Sequence, residues 1–146
     1  MNCIFGPVQS RRLGRSLGID LFRTKLCNLN CIYCEVGRTL APVGQRSAYS
    51  DTRALLAEID QFCADSARLA EVDVVTVTAK GEPTLHSDLG TTLRHLKEVS
   101  SKPIAVLTNG TTLDDPQVRA DLMVADIIIP SLDAARQSSF RAIDRP

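Results

Sequence analysis

Cys27-Asn28-Leu29-Asn30-Cys31-Ile32-Tyr33-Cys34 sets three cysteines within eight residues, spaced CxxxCxxC, with an aromatic residue just before the third. A disulfide takes two thiols, so a trio this tight points to metal. Iron–sulfur clusters are held by Cys thiolates, usually four for a 4Fe–4S cube. Cys27, Cys31 and Cys34 as ligands leave one iron without a local protein ligand, to be filled by a remote Cys or by a small molecule. Structural zinc sites favour two separated Cys/His pairs, and the sequence has no such second pair. Three incidental thiols in a loop are the competing reading, which the spacing disfavours.

Outward from this stretch, the chain alternates short apolar runs with helical patterns. Residues 1–15 read as an irregular lead-in rich in Gly, Pro and Arg. Ser16–Phe22 is apolar enough for a first strand, and the cysteine loop follows it directly. Residues 39–50 contain Pro42 and Gly44 and read as loop. Ser50 or Asp51 can cap a helix over about 52–66. Its apolar face is Leu55, Leu56, Ile59, Phe62 and Cys63, which makes Cys63 a packed core thiol rather than a ligand. Cys3 has no such pattern and no assignable role.

Val72–Thr78 is β-branched and predicts a second strand. A turn at 80–83 leads to a helix near 87–99, with Leu89, Leu93 and Leu96 inward. Pro103–Leu107 predicts a third strand. Asp114 or Asp115 caps a short helix with Pro116 in its first turn. Asp126–Pro130 holds three successive Ile and reads as a buried fourth strand, followed by a helix over about 135–143. Asp133 is the expected cap of that last helix. His86 reads as a turn residue and His95 as a helix-surface residue, since neither has metal-ligand spacing with a partner.

Four β-loop-α units with apolar strands predict an α/β fold, a parallel sheet with right-handed crossovers. Ligands in such folds bind at the carboxyl ends of the strands. The cysteine loop, Gly81-Glu82-Pro83-Thr84, Thr108-Asn109-Gly110 and Ser131-Leu132-Asp133 each follow one strand, so all four fall on one rim. Decorative motifs would scatter over both rims.

Length and charge bound the rest. A chain of 146 residues is one domain at most. It is 44% hydrophobic but only 4% aromatic, so its core is aliphatic. Its 17 Lys and Arg balance 17 Asp and Glu, which argues against a protein that coats nucleic acid generally. The balance is uneven along the chain. Residues 1–46 carry seven basic side chains against two acidic, and residues 47–146 carry ten against fifteen. The basic end surrounds the cysteines and suits an anionic cluster, a cofactor carboxylate or a phosphate backbone; a solvated basic surface is the plain alternative. Arg11 and Arg12 precede no long apolar run, so the opening does not read as a signal peptide. The apolar runs are strand-length and none predicts a membrane span. Five cysteines, three of them clustered, suit a reducing cytoplasm.

Cys27–Cys34, with Tyr33, resembles the signature of the radical S-adenosylmethionine (radical SAM) superfamily. Gly81-Glu82-Pro83-Thr84, Thr108-Asn109-Gly110 and Ser131-Leu132-Asp133 match the same superfamily in order. Gly6-Pro7-Val8-Gln9-Ser10-Arg11-Arg12-Leu13-Gly14, with Ser16-Leu17-Gly18-Ile19-Asp20, resembles a branch of iron–sulfur oxidoreductases similar to the wyosine-base enzymes that modify tRNA. The resemblance implies a 4Fe–4S cluster on Cys27, Cys31 and Cys34, with the amine and carboxylate of S-adenosylmethionine (SAM) on the fourth iron. It implies reductive SAM cleavage to a 5′-deoxyadenosyl radical, an external electron donor, and a substrate of unread identity for which tRNA is the candidate. It assigns Tyr33 to the adenine, Gly81, Glu82 and Pro83 to the amino group, and Thr108, Asn109 and Ser131 to other polar groups of SAM. Lys80 stands where the family has a small residue or Asn, and would repel the amine unless it points away.

Relatives have about six strands, so the resemblance further implies that residues 1–146 are the amino-terminal part of a partial (βα) barrel, completed by a downstream or separate chain. Two other functions remain open: a radical-activating enzyme that acts on a partner protein, and a non-catalytic iron–sulfur scaffold or electron-transfer protein.

Overall fold

A computed structural model describes residues 3–146. Five strands form one open sheet in the order β1-β2-β3-β4-β5. They are β1 (Ile4–Ser10), β2 (Gly14–Asp20), β3 (Val74–Thr78), β4 (Ile104–Thr108) and β5 (Ile127–Pro130). The helices are α1 (Thr52–Cys63), α2 (Ser66–Ala70), α3 (Leu89–Val99), α4 (Pro116–Leu122) and α5 (Gln137–Ile143), with a 3-10 turn at Pro83–Leu85.

From β2 to β5 every pairing is parallel. Leu17 and Ile19 lie opposite Val75 and Val77 across the first of these ladders. These four, with Ile104 and Val106, form the sheet's contribution to the core. Leu89, Leu93 and Leu96 of α3, and Leu55, Ile59 and Phe62 of α1, close over them. Full burial of each such side chain contributes about 1.5–3 kcal/mol relative to exposure. Asp51 caps α1 through the Ala54 amide, Asp65 caps α2 through Arg68, and Asp115 caps α4 through Gln117. On the opposite face Ser16, Gly18, Thr76 and Thr78 line a hollow together with Phe5, Val8, Leu13 and Leu107. A buried hydrogen bond of 2.6 Å joins Ser16 and Thr76 there.

Three expectations change. The lead-in is not irregular: β1 pairs antiparallel with β2 and makes the sheet mixed, with a register shift between Phe5 and Val8. Gly6 and Pro7 sit at that shift, on an edge strand, where a missing amide donor is tolerated. Second, α1 ends at Cys63 and a separate short helix, α2, follows it. Third, β5 is not buried. Among the described residues its only neighbour in the sheet is β4, and Ile127 and Ile128 are 36% and 39% exposed. No helix among the described residues is long and apolar enough to cross a membrane.

Candidate functional site

Because β2 to β5 run parallel, their carboxyl ends share a rim, and the segments leaving them meet around one hollow of about 210 Å³. Cys27, Cys31 and Cys34 border it with Tyr33, Gly81, Glu82, Thr108, Asn109 and Ser131. Of the site residues expected from sequence, only Pro83 does not border it. Pro83 is buried in the first position of the 3-10 turn. Lys25, Leu29, Val36, Thr78, Ala79 and Leu107 also line the hollow. Leu29 lies within the cysteine stretch and Lys25 and Val36 flank it, but none of the six was assigned to the site from sequence.

The cysteine loop is held by its backbone. Leu26 bridges Gly81 in parallel fashion, with Leu26 N–H donating to the Lys80 carbonyl at 2.9 Å and Glu82 N–H to the Leu26 carbonyl at 3.0 Å. Val43 N–H donates to the Cys27 carbonyl at 2.9 Å, and the Thr39 hydroxyl to that of Leu29 at 2.6 Å. On the far side, Asn30 N–H donates to the Asp144 carbonyl at 3.0 Å and Ile32 N–H to that of Ile143 at 2.9 Å. The end of α5 therefore braces the loop.

All five cysteines are free thiols. Cys63 lies against the helical core and Cys3 is buried under the sheet, its amide donating to Glu58 at 3.0 Å; neither borders the hollow. Among the described residues, no three His, Cys, Asp or Glu side chains gather closely enough to hold a single metal ion. The three loop sulfurs have different surroundings. Cys27 accepts from Leu29 N–H at 3.4 Å and from Asn109 Nδ2 at 3.8 Å. Cys34 accepts from Lys25 Nζ at 3.1 Å. The Cys31 thiol donates to Asp144 Oδ1 at 3.6 Å. Burial pushes the Cys27 and Cys31 thiols up from the ordinary range, so without a cation both stay protonated.

Glu82 is 1% exposed and fully engaged. Its Oε1 accepts from the Thr84 amide at 3.1 Å and from the hydroxyls of Thr84 and Thr108 at 2.6 Å each, and its Oε2 accepts from the Asn109 amide at 2.6 Å. The carboxylate thus ties the end of β4 to the turn after β3. Asn109 continues the tie, donating through Nδ2 to Asn28 Oδ1 at 2.9 Å. Lys80 points away from the hollow: its ammonium lies 3.7 Å from Asp20 Oδ2, and its amide donates to Asp20 Oδ1 at 2.8 Å. The anticipated repulsion is absent. Tyr33 is 55% exposed, and its hydroxyl donates to Asp133. Desolvation, then that carboxylate, push the phenol up. Asp133 is therefore not a helix cap; α5 begins only at Gln137, without a side-chain cap.

His86 is no simple turn residue. It is buried against Phe22, with ring centroids 5.7 Å apart. Its Nδ1 accepts from the Asp88 amide at 3.1 Å, so Nε2 carries the proton toward the Ser50 hydroxyl at 2.9 Å. His95 lies between helices, 2.7 Å from Asp60 Oδ1.

The family model of the Radical SAM superfamily matches residues 21–143. A UPF0026 protein of Synechocystis is 41% identical over 144 residues, covering 98% of this chain and 52% of that protein. A protein named GTPase Obg in Brachyspira hyodysenteriae is 37% identical over 143 residues, 98% of this chain and 21% of its own length. A probable GTP 3′,8-cyclase of Saccharolobus islandicus is 29% identical over 133 residues, 90% of this chain and 40% of that protein. The chain spans about half or less of the length of these curated relatives.

Proposed function

The chain belongs to the radical SAM superfamily, and from that premise we propose that it carries a 4Fe–4S cluster on Cys27, Cys31 and Cys34 and binds SAM beside it. When bound, this pair supplies reductive cleavage of SAM and a 5′-deoxyadenosyl radical for abstraction of a substrate hydrogen. The observation that carries the reading is that all three thiols border one hollow with the segments that leave β3, β4 and β5. Three cysteine thiols bordering one hollow are the donor type that iron–sulfur clusters take. Two of the sulfurs already receive N–H donors, which favour the thiolate form.

Around that position the chain's own groups have separate tasks. Gly81 and Glu82 bring backbone up to the hollow for the SAM amine, while the Glu82 carboxylate fixes Thr108 and Asn109. Pro83 acts from behind by stiffening the turn. Thr108, Asn109 and Ser131 offer polar groups to the ribose and carboxylate of SAM, and Tyr33 offers its ring to the adenine. Reconstitution tests the core of this reading. Anaerobically loaded protein binds one oxygen-sensitive cube, Cys31→Ser loses it, and Cys63→Ser keeps it, measured by iron and sulfide content. A full cube in Cys31→Ser would overturn the assignment.

The substrate we propose is tRNA, large enough to reach the hollow while its phosphates also meet Arg11 and Arg12 in the exposed turn between β1 and β2, which lies at the amino-terminal end of β2 and so on the opposite rim of the sheet. The likeness to a probable GTP 3′,8-cyclase favours a free nucleotide as the second reading. RNA affinity falls steeply with salt on the first reading, and replacing Arg11 and Arg12 together by Ala flattens the slope. A slope unchanged by that pair moves the RNA, if it binds, off this turn. The chain on this reading is the amino-terminal part of a barrel that a downstream or separate segment completes, working in the cytoplasm with an external electron donor.

A further inference from the structure

Lys25 stands two residues before the first cysteine and is the one cation that borders the hollow among the described residues. Its ammonium lies 3.1 Å from Cys34 Sγ and also donates to the Gly37 carbonyl. No carboxylate among the described residues lies within ion-pair distance of it. The other sulfurs differ. Cys27 faces neutral donors, Leu29 N–H and the Asn109 amide, and Cys31 faces Asp144. One corner of the thiolate set therefore carries a fixed positive charge, and the side chain that supplies it is half-buried and only partly screened.

We propose that Lys25 sets the reduction potential of the cluster, through the charge and hydrogen bond its ammonium brings to the Cys34 sulfur. The proposal rests on the cluster assignment made above. Reduction adds one electron to a group already surrounded by thiolates. A cation within contact distance of a ligand sulfur stabilises the reduced state more than the oxidised one, so the potential rises. Hydrogen bonds to the sulfurs are among the factors that set such potentials. The Gly37 contact holds the ammonium in place by closing the loop from Cys34 to Gly37, which also bonds through Gly37 N–H to the Cys34 carbonyl at 3.0 Å. Lys25 touches a ligand atom and acts on the electron acceptor through it, as a positioning and electrostatic residue.

The test is a dye-mediated redox titration of the reconstituted chain with dithionite, without SAM, followed by electron paramagnetic resonance, with iron and sulfide measured on every sample. Lys25→Met keeps the iron and sulfide content and has a roughly tenfold lower ratio of reduced to oxidised cluster at the wild-type midpoint. That ratio corresponds to a midpoint about 59 mV more negative for one electron. Lys25→Arg, which keeps the charge, stays near the wild type. An unshifted midpoint in a fully loaded Lys25→Met overturns the proposal, as does a shift of equal size in Lys25→Arg. Should Lys25→Met not load, Lys25→Gln serves as the neutral variant. Loss of the cluster in both makes Lys25 a structural tether and overturns the proposal. Absence of any cluster in the wild type is a different result, and it overturns the cluster assignment itself.

Discussion

A methyl group on Gly81 would stand 1.6 Å from the Leu26 carbonyl oxygen, and the residue's φ of +151° is one that L side chains rarely adopt. Gly81 is thus the point where the end of β3 and the cysteine loop touch backbone to backbone. Any side chain forces the two segments apart, breaking the bonds that Leu26 makes to Lys80 and Glu82. Gly81→Ala is expected to destabilise the chain by about 3 kcal/mol or more, from strain plus lost bonds. Urea unfolding measures this. A variant within about 0.5 kcal/mol of wild type would show that the loop is free to move away without cost. The resemblance assigned this glycine to the amino group of SAM; what a methyl there would meet, at 1.6 Å, is the chain's own cysteine loop, at Leu26.

At the scale of an element, the 3-10 turn at Pro83–Leu85 and the start of α1 are pinned by one histidine. Ser50 donates to the Leu21 carbonyl at 2.8 Å and meets His86 Nε2, so the end of β2, the segment before α1 and the turn after β3 converge there. Desolvation holds His86 below its ordinary range, and the Arg46 cation lowers it further against the opposing pull of Asp88. The neutral ring is the form that fits. A depressed histidine contributes stability that is complete above the unfolded value and is lost as pH falls through the folded one. The melting temperature is therefore expected to drop between about pH 7.5 and about pH 5, through the range where ordinary histidines titrate. His86→Gln should reduce that pH dependence, whatever its own stability. An equal slope in the variant would place the titration elsewhere.

For the whole molecule, the open sheet ends in β5. Beyond it the ladder groups of an apolar, β-branched strand face no partner among the described residues. Edge strands are commonly protected by charge, bulge or cover. Here Pro130 blocks only the end, and Ile127 and Ile128 are exposed. The 146-residue chain by itself is expected to self-associate, with its gel-filtration volume moving toward larger species as concentration rises. Ile128→Lys should oppose this. A wild-type monomer at all concentrations would mean that the edge is shielded in solution.

The sequence by itself determined what depends on local pattern and on connectivity. Helix periodicity placed α1 and α3, aspartates and Pro116 marked where α1 and α4 begin, and β-branched runs marked β3 and β4. The parallel order then followed from helices between strands, and with it the shared rim, because parallel strands put all their carboxyl ends on one side. What it left undetermined depends on partners distant in the chain. β1 is a strand because β2 lies beside it, although Gly6 and Pro7 argue locally against one. Asp133 has the composition of a cap, yet its partner is Tyr33, a hundred residues earlier. Lys80 turns from the hollow because Asp20 lies behind it, and Glu82 is drawn into the frame by Thr108 and Asn109. Propensity and period act over a few residues. The direction of a charged side chain is decided by whichever opposite charge or donor the fold brings near, and only the tertiary structure supplies that.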